Sequence, residues 1–161
     1  MQSEIINHPF PPVCGADARV LILGSFPSVR SRETGFYYGH PQNRFWRVVA
    51  AVTGEKTPVT TEQKTALLIN HGIALWDSVA SCGITGSADS SIINAVPNDI
   101  PALLKDTDIT RIFCNGRTAY DCYQKFAFPK TQIQAVRLPS TSAANAAWSL
   151  ARLIEAWRAI L

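Results

Sequence analysis

The chain has 161 residues, the usual length of one domain. It carries 15 Lys and Arg against 12 Asp and Glu, for a net charge of +3. With 47% hydrophobic and only 17% charged residues, the composition excludes an intrinsically disordered chain and supports a sizeable core.

In chain order, the first strong strand signal is Arg19-Val20-Leu21-Ile22-Leu23-Gly24. It is a continuous apolar run ending in Gly, the pattern of a strand covered on both faces. Residues 43–53 follow with Phe45, Val48, Val49 and Val52 at helical spacing, and Gly54 stops them. A second helix is predicted over 61–71 and a second strand over 72–77. Asn98-Asp99 caps a short helix through Asp106. A third strand spans 110–116, a helix 117–126, and a fourth strand 133–139. The last helix is predicted from about 143 to 160, with Ala147, Leu150, Ala151, Ile154, Trp157 and Leu161 as its apolar stripe.

Strands alternating with helices predict an α/β fold with a mainly parallel sheet, in one domain over 1–161. Ligands of such sheets bind outside the carboxyl ends of the strands. That rule selects residues 24–28, 77–81, 115–116 and 138–142. The basic excess lies in or beside two of these loops. Residues 25–47 hold Arg30, Arg32, Arg44 and Arg47 against Glu33 alone, and 137–152 add two arginines and no acid. Such a distribution fits a phosphate-bearing partner, although charge by itself is equally served by scattered surface arginines without a role.

Other classes are disfavoured. Residues 1–12 lack a basic start followed by an apolar core, so no secretory signal is expected. Apolar runs fall short of the ~20 residues a membrane span needs, so no membrane partner is expected. Cysteines at 14, 82, 114 and 122 form no C-x-x-C, which points away from a metal site or redox motif. Buried structural thiols in a reducing cytoplasm are expected instead. Gly24-Ser25-Phe26-Pro27-Ser28 is neither G-x-G-x-x-G nor a P-loop, so no nucleotide cofactor is indicated.

Two segments stand out. Gly35-Phe36-Tyr37-Tyr38-Gly39-His40-Pro41-Gln42-Asn43-Arg44-Phe45-Trp46 crowds aromatics into a loop before a helix, either as a ligand site or as a plug for the core. Leu138-Pro139-Ser140-Thr141-Ser142-Ala143-Ala144-Asn145 places three hydroxyls ahead of the expected last helix. One of them suffices as an N-cap, and together with a helix start they suit a phosphate.

These segments carry a resemblance. The run 21–28, the run His40-Pro41-Gln42-Asn43-Arg44-Phe45-Trp46 and Leu138-Pro139-Ser140-Thr141-Ser142 resemble the uracil-DNA glycosylase superfamily. Asn115-Gly116-Arg117-Thr118-Ala119-Tyr120 lies between them, so the likeness covers most of the chain. The closest branch is the hypoxanthine-DNA (deoxyinosine-DNA) glycosylases. Mismatch-specific uracil glycosylases have the similar elements G-I-N-P-G, H-P-x-N-R-F-W and L-P-N-P-S-G. Where those use the Asn of G-I-N-P-G to position water, this chain has Phe26. The deoxyinosine branch is similar in lacking that amide, and it uses the Asn of N-R-F-W, here Asn43.

The resemblance implies a three-layer α/β/α sandwich with a central, mainly parallel four-stranded sheet. It implies a monomeric enzyme of base-excision repair acting on DNA that contains a deaminated base, without metal or cofactor. Asn43 would orient water, or cap its helix, or both. Tyr38 or Phe26 would stack on the flipped base, with core packing as the alternative. Asp77 would accept the N1–H of hypoxanthine, or merely cap the turn through residues 78–81. Ser140, Thr141 and Ser142 would grip phosphates, and Arg44 would contact the DNA backbone or form a structural pair. None of the five lysines lies in the three motifs, which predicts no lyase activity. The competing readings are a uracil or mismatch glycosylase, a silent nucleic-acid-binding module on the same scaffold, and a small-molecule hydrolase. The absence of G-x-S-x-G and of an evident nucleophile for any His stands against the hydrolase.

Overall fold

The computed structural model describes residues 4–26, 29–84 and 93–161. Its centre is a four-stranded parallel sheet in the order β3-β2-β6-β7. The strands are β2 (Val20–Gly24), β3 (Ile73–Asp77), β6 (Arg111–Asn115) and β7 (Ala135–Leu138). Each lies inside one of the four strands expected from sequence. Successive side chains of β2 enter opposite faces. Val20 and Ile22 join one core cluster, Leu21 and Leu23 the other.

The first cluster lies under α2 (Phe45–Thr53), α3 (Thr61–Asn70) and α7 (Leu150–Trp157), with Val48, Val49, Leu68, Leu153 and Trp157 buried. The second lies under α4 (Ile100–Lys105), α5 (Arg117–Phe126) and the short α6 (Phe128–Thr131), with Ile100, Ala119 and Tyr123 buried. Helices therefore cover both sheet faces, as the three-layer expectation requires. Each fully buried Leu or Val contributes about 1.5–3 kcal/mol over exposure, which makes the doubly covered β2 the natural anchor of the fold.

Capping follows the sequence at several ends. Thr60 and Gln63 form a reciprocal capping box on α3, Asp99 caps α4 through the Ala102 N–H, and Gly54 closes α2 in the left-handed region.

Besides the short α6, three features were not anticipated. A helical turn, α1 (Val29–Thr34), follows β2. A second sheet, antiparallel in the order β1-β4-β5, is built from β1 (Glu4–Asn7), β4 (Val79–Ile84) and β5 (Ile93–Pro97). The last helix begins at Leu150 rather than near 143, because Ser149 and not one of the three earlier hydroxyls caps it, accepting from the Arg152 N–H at 3.2 Å.

The chain leaves β2 for β3 on one side and returns to β6 on the other. The direction of winding reverses between β2 and β6, which opens a crevice at their carboxyl ends.

Candidate active site

A cleft of about 1120 Å³ opens at that point. The last residues of all four parallel strands line it: Gly24, Asp77, Asn115 and Leu138. Phe26, Tyr38, Asn43, Ser140, Thr141 and Ser142 line it too. The four places selected by the strand-end rule thus converge, although Pro27 and Ser28 of the first lie outside the described residues.

Asn43 sits just before α2. Its Oδ1 accepts the Phe45 N–H at 2.9 Å and the Thr141 hydroxyl at 2.8 Å. Two donors on one atom identify it as the amide oxygen. With both lone pairs of Oδ1 engaged, the Asn43 NH2 group is the part of the amide available to a ligand. Behind it stands a second pair. Asn115 donates from Nδ2 to Thr141 Oγ1 at 3.0 Å and accepts the Thr141 N–H on Oδ1 at 3.0 Å. Thr141 is fully buried, so its hydroxyl serves this chain of bonds and faces no solvent.

Arg44 turns inward. Its guanidinium donates to the carbonyls of Ser142 (2.9 Å), Asn145 (3.2 Å), Thr141 (3.4 Å) and Trp148. Its own N–H donates to the Thr141 carbonyl at 3.0 Å. One planar cation therefore gathers the loop 141–148 against the start of α2.

That loop carries the three hydroxyls without a helix behind them. Ser140 Oγ accepts the Ser142 N–H at 3.2 Å, and Ser142 Oγ accepts the Ala144 N–H at 3.2 Å. Successive local turns replace the expected helix start, because Asn145 also folds back to donate to the Ser140 carbonyl at 3.0 Å. The anion seat expected from a helix N-terminus is therefore not formed there.

On the other wall, Tyr38 stacks on Phe45 at 4.1 Å between centroids and 18° between planes. Its backbone has φ of 53°, the left-handed region that costs a bulky residue about 1–3 kcal/mol. Phe26 is 9% exposed and packs with Val79, which commits most of its ring to the core.

Asp77 is 3% exposed at the end of β3. The turn it was expected to cap does not exist, since Ser78 alone separates β3 from β4. Its Oδ2 lies 2.8 Å from His8 Nε2. A Cβ on Gly24 would come within 2.3 Å of Asp77 Oδ1 and 2.8 Å of the Tyr38 hydroxyl. Both groups therefore converge over a residue that must lack a side chain. His8 escaped the sequence reading because 69 residues separate it from Asp77, and no local pattern links them.

Beneath this wall, Tyr37 donates its hydroxyl to the Pro11 carbonyl at 2.8 Å. Burial, then the charges of Asp77 and Tyr38, push its phenol far above the usual range, so it remains a donor. Arg117 and Arg137 are exposed at the lip of the cleft.

Comparison with known proteins follows the same lines. The uracil DNA glycosylase superfamily model matches residues 11–161. The chain belongs to the uracil DNA glycosylase superfamily. A protein of Methanosarcina acetivorans named hypoxanthine DNA glycosylase is 36% identical over 160 residues, covering 97% of this chain and 98% of that one. Its namesake from Methanosarcina barkeri is 32% identical over 111 residues, or 67% and 70% of the two chains. A Methanosarcina acetivorans structure solved by solution NMR, described as a candidate uracil DNA glycosylase, superposes with a TM-score of 0.81. It is 32% identical and covers 98% of this chain and 99% of its own. The superfamily's α/β architecture is thus the one found here.

Proposed function

We propose that this protein is a monofunctional DNA glycosylase that removes hypoxanthine from deoxyinosine. The observation that carries the reading is the fixed amide of Asn43 at the cleft, its oxygen bound by Phe45 N–H and Thr141 and its NH2 group left for a ligand. Full-length similarity to a protein named hypoxanthine DNA glycosylase supports the substrate.

The chemistry asks for few groups. Extruding a nucleotide costs a few kcal/mol. A cleft of about 1120 Å³ has room for a base and its sugar. Tyr38, backed by Phe45, offers a flat ring worth about 1–3 kcal/mol of stacking. Water attacks C1′ as the C1′–N9 bond breaks, the bonding pair leaves with the purine, and the proton that the water loses ends on that purine. An oxocarbenium-like transition state tolerates a weak nucleophile. An Asn43 N–H can hold one lone pair of that water and leave the other aimed at the sugar. Asp77 Oδ1 accepts the N1–H of hypoxanthine, whereas adenine would set its bare N1 lone pair against it. Ser140 and Ser142 at the cleft, with Arg137 at its lip, are the groups offered to phosphates. None of the five lysines lines the cleft, which supports water rather than an amine as nucleophile.

The test is single-turnover release from oligonucleotides carrying one deoxyinosine or one deoxyuridine, with alkali revealing abasic sites. Hypoxanthine is expected to leave. Asn43→Ala and Asn43→Asp are each expected to lose about 100-fold or more in rate, the usual cost of one positioned donor. Asn43→Asp keeps an oxygen for the Phe45 N–H, so its stability loss should be the smaller. Release of uracil alone would move the protein to the uracil branch. Binding without release of either base would make it a silent module.

A further inference from the structure

His8 has a buried side chain held against Asp77 of the cleft, and the proposed reaction gives it no role. We propose that it is a positioning residue that decides base selectivity through Asp77. The inference rests on the hypoxanthine reading and extends it to a residue outside every motif.

The position of His8 is a product of the second sheet. β1 pairs with β4, so that Asn7 lies opposite Ser81 and the His8 N–H donates to the Ala80 carbonyl at 2.6 Å. The chain then runs beside β3, where Val13 and Leu75 exchange two backbone bonds at 2.9 and 2.8 Å. These contacts deliver the imidazole to Asp77 with side-chain exposures of 4% and 5%. Phe10 and Phe26 meet the ring edge-on at 5.7 and 5.8 Å, and Tyr37 lies at 5.8 Å, so it has no room to turn.

At its other nitrogen the ring meets its own backbone, where Nδ1 lies 2.7 Å from the Phe10 carbonyl oxygen and 3.2 Å from the Phe10 nitrogen, whose N–H points at it. Nε2 faces a carboxylate oxygen at 2.8 Å, and the imidazole N–H there donates to Asp77 Oδ2.

The bond to Oδ2 leaves Oδ1 as the acceptor beside Gly24 at the cleft. Without the imidazole N–H the carboxylate is no longer held in that orientation, so recognition of a base N–H depends on His8.

The experiment compares single-turnover release of hypoxanthine and of unsubstituted purine (from deoxynebularine, which has no N1–H) by wild type, His8→Leu and His8→Gln. Thermal melting shows that each variant is folded. In wild type hypoxanthine is expected to leave faster than purine. His8→Leu is expected to slow hypoxanthine release at least tenfold and purine release less than threefold, so the preference collapses. His8→Gln keeps an N–H donor and is expected to retain the preference. A folded His8→Leu with the wild-type preference, or a folded His8→Gln that loses the preference as His8→Leu does, would overturn the proposal.

A separate readout covers failure of the glycosylase reading itself. If wild type releases neither base, 15N shifts of the His8 ring still judge the pair. A proton on Nε2 in wild type supports it, and an Nε2 without a proton refutes it.

Discussion

Thr141 and Asn43 are 98 residues apart in the chain and meet through a 2.8 Å hydrogen bond from hydroxyl to amide oxygen. That bond ties the loop after the last strand to the start of α2. Because Asn115 holds Thr141 from the end of β6, three separate segments determine how one amide faces the cleft. Replacing Thr141 by Val keeps the shape and removes the hydroxyl. Asn115 Nδ2 and Asn43 Oδ1 each lose a partner, so stability should fall by about 1–3 kcal/mol. Base release should fall at least tenfold, and Thr141→Ser should restore most of both. Urea melts and single-turnover rates check this.

Arg44 illustrates a charge that belongs to the fold. Four loop carbonyls engage its guanidinium, so Arg44→Ala should weaken DNA binding by loosening the loop, with no loss of a phosphate contact. The slope of log affinity against log salt should stay at the wild-type value. Arg137→Ala, at the exposed lip, should lower that slope by about 1. Fluorescence anisotropy across a salt series separates the two.

Gly24 has no room to grow. In Gly24→Ala the new methyl would meet Asp77 Oδ1 at 2.3 Å, and Asp77 cannot swing away without giving up His8. Overpacking of this kind costs about 1–3 kcal/mol. Base release should suffer more than stability, since the displaced atoms are those offered to the base. Melting temperature and release rate measured on the same preparation test the difference.

Cys114 is fully buried on β6, and burial first, then Cys122, raises its thiol from 9.0 to about 12. The folded state therefore keeps a proton that the unfolded chain releases. Its contribution is intact below about pH 9 and is lost as pH rises toward 12. The denaturation midpoint should decline over that window, and less so in Cys114→Ala. A thiol reagent at pH 8 should label Cys114 only after unfolding.

The parallel sheet was legible because its strands need little context. A run such as Val20-Leu21-Ile22-Leu23 has no polar side chain to turn to water, so it must be covered on both faces. Rules for ligand position then pointed to the strand ends, and the aromatic loop and hydroxyl loop both reached the cleft. The start of the last helix was less legible. Ser140, Thr141, Ser142 and Ser149 are all competent caps, and the choice of Ser149 depended on Asn145 and Arg44 holding the intervening loop in turns.

Sequence alone determined the α/β class, the superfamily and the presence of Asn43, Tyr38 and Asp77 near one another, because backbone periodicity and short motifs are local properties. Tertiary structure decided what each polar atom does. A hydrogen bond depends on distance and direction between groups that the chain separates by tens of residues. Thus the Thr141 hydroxyl bonds to Asn43, Arg44 turned to the loop, and His8, silent in the sequence, came to rest against Asp77.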